Sequence, residues 1–190
     1  MSMTRPEAGA AEEADFPELT YWRVFAISFP IILSNITTPL LGVTHTAVVG
    51  QLGEAHLIGA VALGATIFNL LFWAFGFLRM GTTGLTAQAV GARKPDAVVV
   101  ILAQALLLGG AAGFALILLQ YPIQLIAFEL LEATKATETE TQRYFAIRIW
   151  SAPFALINYA FLGWFIGLAK TRIAFLLQIV LNGTNVILSI

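Results

Sequence analysis

The sequence predicts an all-α, polytopic transmembrane helical bundle, and three observations predict it. Of its 190 residues 58% are apolar and only 11% charged, whereas soluble domains run at about half and about a quarter. Five apolar runs are each long enough to cross a hydrocarbon core, which takes about 20 helical residues for about 30 Å. Nearly all the charge lies between those runs, as it must when Asp, Lys or Arg costs about 2.5 to 3.5 kcal/mol at a helix centre.

The elements follow in order. Residues 1–19 are polar and acidic, with Glu7, Glu12, Glu13, Asp15 and Glu18 against Arg5. A signal peptide starts basic and ends in a small-residue cleavage site, so this segment reads as a disordered cytosolic tail and the first run as a retained helix. Residues 20–190 then form one transmembrane unit, with helices expected over about 24–49, 57–80, 98–123, 144–168 and 173–190. The uncharged stretch Gly81–Ala92 is expected to be the cytoplasmic end of the second helix, loosened at Gly81 and Gly84, or else a short interfacial helix. The fifth run ends without a polar flank, as a truncated bundle would.

Charge sets the sidedness. Arg5, Arg23, Arg79, Arg93, Lys94, Lys170 and Arg172 fall on one side of this topology, Arg79 being counted with the connection between the second and third helices. On the other side Lys135, Arg143 and Arg148 are mixed with Glu129, Glu132, Glu138 and Glu140. The positive-inside rule then puts the N-terminus in the cytoplasm of a multi-pass plasma (inner) membrane protein.

Composition also excludes. A net charge of −1 offers no basic face for nucleic acid. Without cysteine, and with His45 and His56 the only histidines, there is no disulfide framework, thiol nucleophile or multi-histidine metal cage. The chain carries no Walker loop, dinucleotide fingerprint, nucleophile elbow or carboxylate dyad, so neither an enzyme nor a cofactor is expected. Transport fits better, since it needs only a cavity, a coupling group and two conformations.

Two polar stripes are the candidate site. Gln178, Asn182, Asn185 and Ser189 recur at helical spacing in the fifth run, and unpaired amides are expensive in hydrocarbon, so the stripe must meet partner helices or line a wet cavity. In the first run Ser34, Thr38 and His45 fall within about 20° of a common line on the helical wheel. His45 is the ionisable member. Histidine titrates near neutral pH, which makes it a candidate for proton or ion handling, or else a neutral bond to a neighbouring helix. Pro30 and Pro39 favour bends in the same helix. Gly109 with Gly113, and Gly163 with Gly167, have the small-xxx-small spacing of packing seams. Arg148, about one turn inside the fourth run, is expected to snorkel towards the interface.

Beyond these patterns, the runs Pro30–Gly42, Thr46–Gly50 and Gly76–Gln88, with Arg148, Ala152-Pro153, Gly163-Trp164 and the closing Gln178, Asn182 and Asn185, resemble multidrug and toxic compound extrusion (MATE) transporters of the DinF-like branch. The resemblance implies a two-lobed protein of about twelve helices, exporting amphipathic or cationic small molecules in exchange for protons or sodium ions. This chain would supply five of the six helices of the N-terminal lobe, with the C-terminal lobe as its missing partner. Where the family has acidic residues, this chain carries His45 in Thr44-His45-Thr46-Ala47 and Ser189 in Asn185-Val186-Ile187-Leu188-Ser189. An imidazole is neutral when unprotonated and cationic when protonated, the inverse of a carboxylate, and a sodium site there loses its anionic oxygens. Two other readings stay open. One is a non-transporting membrane fragment. The other is a lipid-linked precursor flippase, which requires basic residues along its cavity, and the sequence places none at the helix centres.

Overall fold

A computed structural model of the chain describes residues 20–51, 54–131 and 134–189, with several α1 side chains outside the description. The N-terminal tail expected over 1–19 lies outside the described residues. Among the described residues the fold is helical without strands: α1 (Tyr21–Gly50), α2 (Ala55–Ala74), α3 (Gly76–Gly91), α4 (Pro95–Leu118), α5 (Gln120–Leu130), α6 (Lys135–Arg148), a 3-10 turn (Ile149–Ser151), α7 (Ala152–Gly167) and α8 (Thr171–Ser189). Four helical stretches are long and apolar enough to cross a membrane: His56–Gly91, Pro95–Leu118, Lys135–Gly167 and Thr171–Leu188. α1 contributes a further apolar stretch, Val24–Leu33.

The expected second helix is longer than its apolar run. It continues to Gly91 and is interrupted at Phe75 (φ −91°, ψ 7°) rather than at Gly81 or Gly84. Packing overrides the weak helix preference of the two glycines: α3 lies along α7, with Leu78, Thr82, Thr86 and Ala89 buried. Prolines place two other breaks, because a proline ring clashes with the carbonyl four residues back and removes a hydrogen bond. Pro122 ends α4 at Leu118, so the expected third helix becomes α4 and the eleven-residue α5. Pro153 coincides with the 3-10 turn at Ile149–Ser151. Helical structure leading into the fourth run begins at Lys135, where Thr134 caps α6 by accepting from the Thr137 N–H.

Glycines set the packing. An added Cβ at Gly163 would lie 2.5 Å from the Arg79 carbonyl oxygen, and one at Gly167 would lie 2.6 Å from Thr86 Cβ. The α2–α3 and α6–α7 units therefore run parallel, with Gly59 against Thr137 and Gly64 against Tyr144 further up the same pair. α4 runs antiparallel between their ends, its Gly113 against Pro153 and its Gly109 against Leu156. Both small-xxx-small pairs are thus backbone-close seams, as the spacing predicts. The core between them holds Phe68 stacked on Phe145 at 5.0 Å, with Ile149, Ala152, Leu156 and Ala160 fully buried. The outside is apolar too: Trp73, Ile147 and Leu188 are each more than three-quarters exposed. Water would not tolerate such a surface, whereas lipid does.

The two ends of the bundle differ in charge because of this parallel pairing. α3 and α7 end alike, on left-handed Arg93 (φ 54°) and Ala169 (φ 57°). The next N–H closes each helix, Lys94 to Ala89 O at 3.0 Å and Lys170 to Phe165 O at 2.9 Å, in the Schellman pattern. Arg93, Lys94, Lys170 and Arg172 thereby share one end. At the other end, Glu54 pairs with His56 at 3.3 Å and Glu140 with Arg143 at 2.9 Å.

Candidate functional site

α1 packs along α8, so the two helices that carry the polar stripes are neighbours. Within α8 the stripe is partly self-satisfied: Gln178 Nε2 donates to Asn182 Oδ1 at 3.1 Å. Gln178 and Asn182 are half-buried and Asn185 is exposed on this lobe, and both asparagines are engaged in further interactions. The α1 backbone is helical without interruption through Pro30 and Pro39, which keeps Ser34, Thr38 and His45 on one helical face. The side chains of Ser34, Thr38, His45 and Ser189 lie outside the described residues.

Threonines on α3 tie it to α7. The Thr83 hydroxyl lies 2.9 Å from Arg79 O and 3.1 Å from Gly163 O, so one proton is shared between its own helix and the neighbour. Thr82 donates to Leu78 O at 2.6 Å. Thr141 does the same for α6 on α2, with Thr137 O at 2.7 Å and Ala60 O at 3.3 Å. Such back-bonding lets a hydroxyl sit in hydrocarbon without an open donor.

Two arginines lie elsewhere than the sequence pattern suggests. Arg148 does not extend freely to the interface. Its guanidinium stacks 5.0 Å from the Phe68 ring centroid and 5.4 Å from that of Tyr144, and it donates to the Tyr144 hydroxyl. Cation–π attraction holds the half-buried guanidinium in the α2–α6 seam. Arg79 belongs to no connection at all. It sits inside α3, level with Gly163 of α7, because the helix continues well past its apolar run. There it lines a cavity of about 800 Å³ with Ile31 of α1, Trp73 of α2, Phe77, Met80 and Thr83 of α3, and Tyr159 of α7. The sequence signal was present, an arginine followed by thirteen uncharged residues up to Ala92, but the end of the apolar run masked it. Among the described residues there is no cluster of His, Asp or Glu that would hold a metal ion.

These features define a class: a multi-pass α-helical membrane protein whose helices close on glycine seams around polar stripes and a membrane-depth cavity. The family follows from comparison. The MatE family model matches residues 30–190, and the chain belongs to that family. It is 43% identical over 164 residues to DNA damage-inducible protein F of Escherichia coli (strain K12), covering 86% of this chain and 36% of that protein. It is 30% identical over 99 residues to the probable multidrug resistance protein NorM of Acinetobacter baylyi, covering 52% and 22%. It is 22% identical over 132 residues to the multidrug export protein MepA of Staphylococcus aureus, covering 70% and 29%. The chain therefore spans about a third or less of the length of these relatives. No solved structure matches.

Proposed function

We propose that these residues form most of the N-terminal lobe of a secondary efflux antiporter. It exports amphipathic or cationic compounds in exchange for an ion, and the ion is the proton. The observation that carries this reading is the packing of α1, the helix of Ser34, Thr38 and His45, along α8, the helix of Gln178, Asn182, Asn185 and Ser189, in a chain of the MatE family. The names of two relatives, a probable multidrug resistance protein and a multidrug export protein, favour drug-like substrates.

In this reading His45 is the titrating element. It is uncharged when empty and cationic when it holds a proton, so its proton and a cationic substrate exclude each other by like-charge repulsion, the exchange an antiporter requires. The asparagines and Gln178 present amide dipoles that serve either occupant. A sodium ion is less well served, because hard cations favour anionic oxygens and the stripe holds none. The reading also places the N-terminus in the cytoplasm, with the four basic residues of the α3–α4 and α7–α8 turns on the same side.

The test is efflux of a fluorescent cation from vesicles containing the full-length protein, under separately imposed proton and sodium gradients. Efflux should follow the proton gradient, and His45→Ala should flatten its dependence between about pH 5 and 8. Dependence on neither gradient refutes antiport. An unchanged pH profile in His45→Ala refutes the role of His45.

A further inference from the structure

The cavity that Arg79 lines has an unusual combination of walls. Ile31, Trp73, Phe77 and Met80 are apolar, and Arg79, Tyr159 and Thr83 are the polar residues, the Thr83 hydroxyl being already bonded to the Arg79 and Gly163 carbonyls. No carboxylate is among its lining residues, and among the described residues Arg79 makes no ion pair. The described acidic residues, Glu54, Asp96, Glu129, Glu138 and Glu140, lie at helix ends or in α5 and α6. Depth matters as well. The Arg79 backbone is level with Gly163, about 9 Å of helix rise from the turn at Ala169, so it stands more than a helical turn inside the basic residues of the rim. A guanidinium held at that depth attracts an anion that can reach it.

The open side of the cavity indicates which anion. On this lobe Trp73 is 80% exposed, Met80 77% and Phe77 57%, so the mouth these residues form is apolar, and an ion arriving from water would have to cross it. An anion that carries its own acyl chains meets no such barrier. We propose that this cavity seats an anionic phospholipid, with its phosphate on Arg79 and the Tyr159 hydroxyl and an acyl chain along Trp73 and Phe77. Guanidinium takes phosphate through two parallel N–H donors, and the tyrosine hydroxyl adds a third. The lipid is a resident of the fold. It neutralises the arginine between α1, α3 and α7, so it fixes how α1 stands against the rest of the lobe without being transported.

Trp73 reports on the site directly. The full-length protein is reconstituted in phosphatidylcholine vesicles doped with equal mole fractions of either brominated phosphatidylglycerol or brominated phosphatidylcholine, and the Trp73 component of quenching is taken as the difference between wild type and Trp73→Phe. Brominated phosphatidylglycerol should be preferred about fivefold, the effect of one basic side chain on an anionic lipid. Arg79→Lys should keep most of that preference and Arg79→Gln should abolish it, with circular dichroism confirming that both variants are folded. Equal quenching by the two lipids overturns the proposal using wild-type protein alone. So does a preference that survives in Arg79→Gln, which would trace it to the rim residues. Loss of the preference on adding inorganic phosphate identifies an aqueous anion site and overturns the lipid assignment. No Trp73 quenching by either lipid shows that protein covers the cavity, which also overturns it.

Discussion

Replacing Gly113 with alanine tests whether close backbone approach holds this lobe together. A Cβ at Gly113 would lie 2.3 Å from Pro153 Cα, 2.6 Å from Pro153 N and 3.0 Å from the Ala152 carbonyl carbon. Real Cβ contacts essentially never fall below 3.0 Å, so α4 and α7 must part locally by at least about 0.7 Å. Nothing soft is available to absorb that shift, since all three contacts are backbone atoms and Ala152 is fully buried. Overpacking of this kind costs about 1 to 3 kcal/mol, and the better helix propensity of alanine returns at most about 1 kcal/mol. With the full return the net expectation is a loss of up to about 2 kcal/mol. Gly110, three residues earlier on α4, has nothing within 4 Å of its would-be Cβ, so Gly110→Ala keeps the propensity gain without the clash. The assay is unfolding of the full-length protein by sodium dodecyl sulfate in mixed micelles, followed by circular dichroism. If Gly113→Ala proves as stable as Gly110→Ala, the seam is not close-packed and the reasoning fails.

Three further perturbations can be read in the same assay. Gly64→Ala puts its Cβ 2.4 Å from Tyr144 Cδ1, a side-chain clash, so it should cost about 1 to 3 kcal/mol and, unlike the Gly113 change, be largely rescued by Tyr144→Leu; strict additivity of the two changes would contradict this. Thr86 is fully buried and its Oγ1 has no hydrogen-bond partner among the described residues, so Thr86→Val should be neutral or stabilise by about 1 kcal/mol, and a clear loss of stability would mean that the hydroxyl is bonded. Ala169 ends α7 at φ 57°, a conformation that costs an L-residue about 1 to 2 kcal/mol, so Ala169→Gly should raise stability by up to about 1 kcal/mol, and a destabilised variant would count against the left-handed cap.

The readings that failed share one cause. The sequence shows where hydrocarbon stops being necessary, and helices do not stop there. Arg79 ends an apolar run, so it counts with a connection, and Gly81–Ala92 is expected to be a loosened helix end, yet α3 carries both on to Gly91 without a break because α7 offers Gly163 and Gly167 for it to lie against. Lys135–Arg143 is polar enough to look like a loop, yet it is the first part of α6, held to α2 through Thr141 and Ala60 O.

The sequence alone determined that this protein is a multi-pass helical bundle and which glycines form seams. Each of those follows from local composition or from the helical period, and both are properties of one segment at a time. Only the tertiary structure decided that the second and fourth spans pack directly on each other with the third antiparallel against both, that α1 lies beside α8, and that Arg79 opens onto a cavity while Arg148 is held on aromatic rings. Those outcomes depend on which surfaces meet. A would-be Cβ at Gly163 only 2.5 Å from Arg79 O is a relation between residues far apart in the chain, and no periodicity within either helix encodes it.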